Sequence, residues 1–183
     1  MRHPMGTRLR LIHLDTLEVA VWLNATKDPP PVQWTESCAK LAASVRAASD
    51  DLSIYRIFVV SDGGSPSSAQ RKELFEETLR GYPVPTAVVS RAMLTNPVRR
   101  GMAAAMQVLR PHYRVFEPKD VLRAVDHIGV PRPRFDPIWR SLRFLQESLP
   151  PVGSLRLIAD ELNLSFEPLR PSQIPPSSPP PEK

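Results

Sequence analysis

The stretch IYRIFVVSDGGSPSSAQRKEL, residues 54–74, decides the fold class. Its first seven residues are mostly β-branched or aromatic, which predicts a buried strand that the Gly63-Gly64 pair brings to an end. Ser65 followed by Pro66 predicts an N-cap and a first helical position, and residues 67–80 supply helix formers up to Gly81. A strand joined through a polar turn to a helix is the repeating unit of a parallel sheet.

The segments on either side repeat this alternation. Residues 8–14 and 17–24 are two apolar, partly alternating runs, and the two residues between them are few enough for a hairpin. Residues 32–48 carry apolar side chains at spacings of three and four, which is typical of an amphipathic helix. Further strands are predicted at 85–90 and 113–116, and further helices at 95–109 and 118–128. The sequence therefore predicts an α/β protein with a mainly parallel five-stranded sheet and the element order ββαβαβαβα.

The C-terminal third predicts two accessory helices and a tail. Ile138, Leu142, Leu145 and Leu149 form the apolar stripe of one helix, on which Trp139 is expected to be buried, and Ser154 is expected to cap a shorter one. The proline-rich end offers too little apolar surface to offset the entropy of ordering. We expect an α/β domain over residues 1–130, an accessory helical segment over 131–166 and a proline-rich disordered tail over 167–183.

Composition narrows the classes of function. The chain has 183 residues, 42% of them hydrophobic, and no apolar run approaches the roughly 20 residues that span a bilayer. The basic N-terminus meets charged residues before an apolar region can develop, so a cytoplasmic protein is expected. Cys38 is the only cysteine, which excludes an internal disulfide and paired-cysteine zinc sites. The net charge is +5, but 19 acidic residues are interspersed among 24 basic ones, so no uniform field for nucleic acid follows.

The order of elements, with a polar glycine-containing turn after the third strand, resembles the STAS domain of bacterial anti-sigma-factor antagonists. It is also similar to a divergent STAS-like group related to lipid-binding Sec14-type domains. The resemblance covers residues 8–130, and the segments that carry it are residues 54–74, PVPTAVVSRAMLTNPVRRGMAAAMQVL and YRVFEPKDVLRAVDHIGV. It implies a regulatory or scaffold protein of bacterial-type signalling that docks a protein partner and performs no catalysis.

The same resemblance implies where the partner binds. In that family the turn reads Asp-Ser-(Ser/Thr)-Gly, and a kinase that is also the binding partner phosphorylates the serine at the helix start. Here Asp62 and Ser65 match that pattern loosely, because two glycines displace the hydroxyls. Ser65 is thus the implied phosphorylation site. The expected partner-binding or switch residues are Asp62, Gly63, Gly64, Ser65, Ser67, Ser68, Arg99 and Arg100.

The residues leave other functions open. Backbone N–H groups at the start of the second helix would suit an anion. The arginines of the 132–143 segment interleave with aromatic side chains, a mixture that suits phosphate contacts and base stacking. The relation to Sec14-type domains suggests an apolar pocket for a lipid. The isolated acids and histidines share no catalytic or metal-binding spacing, so no enzyme, cofactor or metal is expected; they are Asp15, Asp62, Glu117, Asp126, His13, His112 and His127.

Overall fold

The computed structural model describes residues 7–25, 30–48, 55–63, 66–92 and 97–165. They form an α/β fold around one five-stranded sheet whose strands lie side by side in chain order. The strands are β1 (Leu9–Leu14), β2 (Val19–Asn24), β3 (Arg56–Ser61), β4 (Thr86–Ser90) and β5 (Tyr113–Phe116).

The sheet is mixed, which corrects the expectation of a mainly parallel one. β1 and β2 are antiparallel, with Leu14 opposite Val19, while β3, β4 and β5 continue from β2 in parallel. The reason is the turn between the first two strands, whose four residues can form a hairpin but not the long crossover that a parallel pair needs. Glu18, the last residue of that turn, adopts a left-handed conformation with φ 50°.

Six α-helices accompany the sheet within the described ranges. They are α1 (Pro31–Ala48), α2 (Ser68–Lys72), α3 (Pro97–Leu109), α4 (Val121–His127), α5 (Phe135–Gln146) and α6 (Gly153–Leu162). The predicted order ββαβαβαβα is not matched as written, because α2 continues as a π-helical segment (Glu73–Thr78) and short 3-10 turns precede α4 and α5. No helix within these described residues is long and apolar enough to span a membrane.

Alternation along the strands gives the sheet two buried faces. In β2 every residue is buried, since Ala20 and Trp22 lie on one face and Val19, Val21 and Leu23 on the other. We call the side of Trp22 the first face and the side of Val21 the second face. The first face is covered by α1 and by the α2 region, through Trp34, Cys38, Leu41, Leu74 and Phe75.

The second face is covered by α4, α5 and α6. Ile138 and Leu142 of α5 and Leu155 and Ile158 of α6 are fully buried in the same cluster as the strand residues of this face. Trp139 is 4% exposed, which confirms its predicted burial. The two C-terminal helices are therefore part of the core and not accessory to it. Without them one side of β2, β3 and β4 would face water.

Candidate functional site

The carboxyl ends of the three central strands carry a row of buried polar residues. Asn24, Ser61 and Ser90 stand opposite one another in the parallel register of β2, β3 and β4. The Asn24 side-chain amide donates to Ser61 Oγ at 3.2 Å. Ligands of open α/β sheets bind at this edge, so it is where a site is expected.

Both serines fix the loops that follow them. Ser61 Oγ accepts from the backbone N–H of Gly63 at 3.2 Å, and Ser90 Oγ accepts from that of Ala92 at 3.2 Å. A hydroxyl that bonds the backbone two residues later stabilises a tight turn. Neighbouring strands thus leave the sheet in the same way, which places their next residues, Asp62 and Arg91, side by side with Arg91 Nε 3.2 Å from Asp62 Oδ1.

Asp62 caps a helix that lies far away in the sequence. Its two carboxylate oxygens accept from the backbone N–H groups of Gly153 at 2.7 Å and Ser154 at 2.6 Å, at the start of α6. The N–H groups at the positive end of the helix dipole and the Arg91 guanidinium are all suitable neighbours for a carboxylate. Only 11% of the Asp62 side chain is exposed. Both carboxylate oxygens are therefore engaged by internal donors.

Ser154 also bonds to the strand ends. It is the second residue of α6 and not the N-cap that the sequence predicted, because the N-cap is Val152. Its hydroxyl donates to the carbonyl of Ser61 at 2.7 Å and accepts from the backbone N–H of Arg91 at 2.9 Å. The Arg91 guanidinium packs closely against Gly153, where an added Cβ would lie 2.6 Å from Arg91 Nη1. We call this set of internal bonds the strand-end network, formed by Ser61, Asp62, Ser90, Arg91, Gly153 and Ser154.

The turn after β3 differs in detail from its prediction. Gly63 is buried, while Gly64 and Ser65 lie outside the described residues. The N-cap of α2 is Ser67, not Ser65: its Oγ accepts from the Gln70 N–H at 3.2 Å, and the Gln70 side chain accepts from the Ser67 N–H at 2.9 Å. This capping box satisfies donors that an anion would otherwise use. Ser67 and Ser68 are exposed.

Arg99 and Arg100 belong to the first turn of α3, although their side chains lie outside the described part of the chain. Helix α3 lies on the first face, since Arg110 at its end stacks over the Phe75 ring at 4.6 Å from the centroid. Because α2 and α3 follow β3 and β4, both helices start at the carboxyl edge. The predicted switch residues that the structure describes are thus divided. Asp62 is held inside, Ser67 and Ser68 lie at the start of α2, and Arg99 and Arg100 are in the first turn of α3.

Asp126, Glu117, His112 and His127 are each held by a structural contact. Asp126 lies with Arg132, their closest atoms 2.6 Å apart, and this hydrogen bond lowers the pKa of Asp126. His127 Nε2 contacts the carbonyl of His112 at 2.9 Å, and Glu117 pairs with Lys119. No cluster of three metal-ligating side chains occurs among the residues that the structure describes.

His13 and Asp15 do come together, in a cluster with Tyr55 and Glu18 that the sequence reasoning did not predict. His13 Nδ1 lies 2.9 Å from Tyr55 Oη, and its Nε2 lies 3.2 Å from Asp15 and 3.5 Å from Glu18. The two rings stack at 5.2 Å between centroids, and burial raises the pKa of Tyr55. The cluster lies at the hairpin turn and the start of β3, the opposite edge from the strand-end network. It ties the hairpin to β3, because its members come from both.

The Arg-rich segment and the cysteine are occupied by structural contacts. Phe135 and Trp139 are buried, so neither is available to stack on a base. Arg140 pairs with Asp136 at 2.7 Å, and Arg134 donates to the carbonyl of Thr16 at 3.1 Å. Cys38 is buried, and burial raises the pKa of its thiol to about 12, which leaves it protonated at neutral pH.

Only the strand-end network could have been found from sequence. Val59-Val60-Ser61-Asp62 and Val88-Val89-Ser90-Arg91 are the same tripeptide followed by opposite charges at the ends of two predicted neighbouring strands. The contribution of α6 has no such signal, since it lies more than 90 residues from Asp62. Comparison of the chain with protein-family models, with curated proteins and with solved structures found no match, so no family is assigned.

Proposed function

We propose that the chain is a non-catalytic regulatory or scaffold protein that docks a protein partner at the carboxyl edge of its sheet. The observation that carries the proposal is the state of Asp62. This carboxylate occupies the position where the fold would present a reactive or ligand-binding group, yet two backbone N–H groups and Arg91 surround it. A general acid or base must instead exchange a proton with substrate, for which a carboxylate already engaged by internal donors is poorly suited.

The residues at the two helix starts of this edge are polar or charged. Ser67 and Ser68 are exposed at the start of α2, and the sequence places Arg99 and Arg100 in the first turn of α3. Hydroxyls and guanidinium groups suit the polar rim of a protein interface and recognise acidic side chains on a partner. The resemblance to STAS domains supports the same surface, with Ser65 as its switch.

A substitution next to the N-cap Ser67 tests the docking surface while leaving the capping box intact. Ser68→Asp adds a negative charge in the first turn of α2, where the helix dipole favours it, so the free energy of unfolding should change by less than about 1 kcal/mol. Partner affinity should fall severalfold, because a charge without a counterion is costly to desolvate in an interface. The partner is first identified by affinity capture with the full chain, and its affinity is then measured by calorimetry.

The matched control is Ser177→Asp, which adds the same charge within the predicted tail. Its affinity for the partner should equal that of the wild type. If Ser68→Asp and Ser177→Asp both bind as the wild type does, the carboxyl edge is not the docking surface and the proposal fails.

A further inference from the structure

The outer side of β1, which faces away from β2, is an open strand side. Among the described strands β1 pairs only with β2, in an unbroken register from Leu9 to Leu14 that contains no proline. The Arg8 carbonyl accepts from the N–H of Ala25, just after β2, so it points towards β2. Because backbone direction alternates along a strand, residues 9, 11 and 13 point their N–H and C=O groups outward.

Only the start of this outer side is occupied. Gln33 Oε1 accepts from the Leu9 N–H at 3.2 Å. No hydrogen bond to the backbone N–H or C=O group of Leu11 or His13 on this side occurs among the described residues. A row of unpaired backbone groups at the side of a sheet is a template for another strand.

A second copy of β1 fits this row. The same strand side in another copy offers the same free donors and acceptors. In a parallel pair, a residue that bonds towards the neighbour lies opposite one that bonds away from it. A two-fold axis along the strands would instead set each residue opposite its own copy. Two copies related by a two-fold axis can therefore pair only in the antiparallel direction.

The free groups select the register. With Leu11 of one copy opposite His13 of the other, every free N–H and C=O group of these two residues is bonded. A register with Leu11 opposite Leu11 would also need the Leu9 N–H, which Gln33 already holds. In the first register the two copies of Ile12 meet at the axis, where strands approach closely and side chains touch. Ile12 is half-buried in the single chain, so this contact covers apolar surface.

The charges at the two ends of β1 are complementary in this arrangement. Arg8 and Arg10 are exposed at the start of the strand, and neither guanidinium has an acidic partner in the described part of the chain. Asp15 and Glu18 lie in the turn that follows the strand, and the Asp15 side chain is 68% exposed. Antiparallel pairing places the basic start of each copy beside the acidic turn of the other.

We propose that the outer side of β1, residues 10–14, is the contact surface of a homodimer in which antiparallel β1 strands join two sheets. The proline-rich tail is unsuited to this place, because proline has no N–H to donate. The contact is short, so its area falls below the roughly 800 Å² per partner of a standard interface. The dimer is therefore weak, with a dissociation constant at or above about 1 μM. The proposal is independent of the docking proposal, which concerns the starts of α2 and α3.

Charge reversal tests the two-fold arrangement. Arg10→Glu sets an anion beside the acidic turn of the other copy, and Asp15→Lys sets a cation beside the basic start. Either variant alone should dimerise at least about tenfold more weakly than the wild type. An equal mixture of the two pairs opposite charges at both contacts again, so it should dimerise more tightly than either variant alone.

Sedimentation velocity of the full chain from about 1 μM to about 1 mM gives the dissociation constants. The matched control is Arg156→Glu, which reverses an exposed charge on α6 and should dimerise as the wild type does. Circular dichroism shows that each variant is folded.

Two further measurements test the register. The amides of Leu11 and His13 should exchange hydrogen more slowly as protein concentration rises, while the Leu9 amide, held by Gln33, should change little. Ile12→Cys should cross-link to itself under mild oxidation, because its two copies meet at the axis. Arg10→Cys should not, since its two copies lie at opposite ends of the contact. The native Cys38 is buried and provides the background.

Several outcomes would overturn the homodimer. The wild type could remain monomeric up to about 1 mM, the mixture of Arg10→Glu and Asp15→Lys could associate as weakly as each variant alone, or Ile12→Cys could fail to cross-link. Protection of the Leu11 amide that does not change with concentration would assign the outer side of β1 to a segment of the same chain instead.

Discussion

Helices α6 and α3 are both amphipathic, but apolar residues are buried on α6 and exposed on α3. Leu155 and Ile158 of α6 are fully buried against the second face of the sheet, while Val98 and Val108 of α3 are exposed. The difference lies in what holds each helix. Helix α6 is anchored at its start by Asp62, whereas α3 follows β4 to the edge of the sheet and packs mainly beside β5. An apolar stripe thus predicts that a helix side will be covered, but not by what.

The largest effect expected from this comparison is on stability. Ile158→Ala should lower the free energy of unfolding by about 2–5 kcal/mol, because it leaves a cavity in the core between α6 and the sheet. Val108→Ala removes an exposed side chain and should change it by less than about 0.5 kcal/mol. Urea unfolding of both variants and the wild type, at one protein concentration, measures both. Equal losses would mean that α3 is as deeply packed as α6.

The anchor of α6 gives the next largest effect. Asp62→Ala leaves the buried N–H groups of Gly153 and Ser154 without their acceptor, and we expect a loss of about 1–3 kcal/mol. Asp160→Ala is the control, since Asp160 is exposed on the same helix and should cost little. If the two substitutions destabilise equally, Asp62 does not anchor α6, and the proposed contrast with α3 loses its cause.

The sequence predicted local features better than partners. Strand β5 was predicted with its observed bounds, and the stripe of α5 correctly placed Trp139 in the core. The N-cap of α2 was misplaced by two residues, because Ser65 and Ser67 are both residues that favour an N-cap. What distinguishes Ser67 is the capping box that it forms with Gln70. The bond between Asp62 and α6 was missed, since hydrophobic periodicity shows which side of a helix is buried but not which loop meets its end.

A smaller effect is expected at Gly101 in α3. Glycine in a helix costs roughly 1 kcal/mol relative to alanine, and a Cβ here meets open space. Gly101→Ala should therefore stabilise the folded chain by up to about 1 kcal/mol. Gly153→Ala, at the start of α6, should stabilise it less, because its Cβ requires the Arg91 guanidinium to move away from its place beside Asp62. Thermal unfolding in which Gly153→Ala gains as much as Gly101→Ala would contradict this contrast.

The smallest effect concerns His112, between α3 and β5. Its Nε2 is buried and lacks a hydrogen-bond partner among the described residues. Burial, with Arg110 and His127 nearby, lowers the pKa of His112 from its usual 6.5.

Between that lowered pKa and 6.5, the unfolded chain holds a proton at this residue that the folded chain does not. Stability from this residue should therefore rise with pH across that window, and acid should weaken the fold. Below the folded pKa the dependence ends, because both states are protonated. His112→Gln cannot titrate and should lack this contribution, while every other titrating group is kept. The measurement is the urea midpoint of both chains at several pH values from 5 to 8, with the difference between them taken at each pH. A difference that stays constant across the range would mean that His112 binds its proton equally well in the folded and the unfolded chain. His112 would then not be shielded from water between α3 and β5.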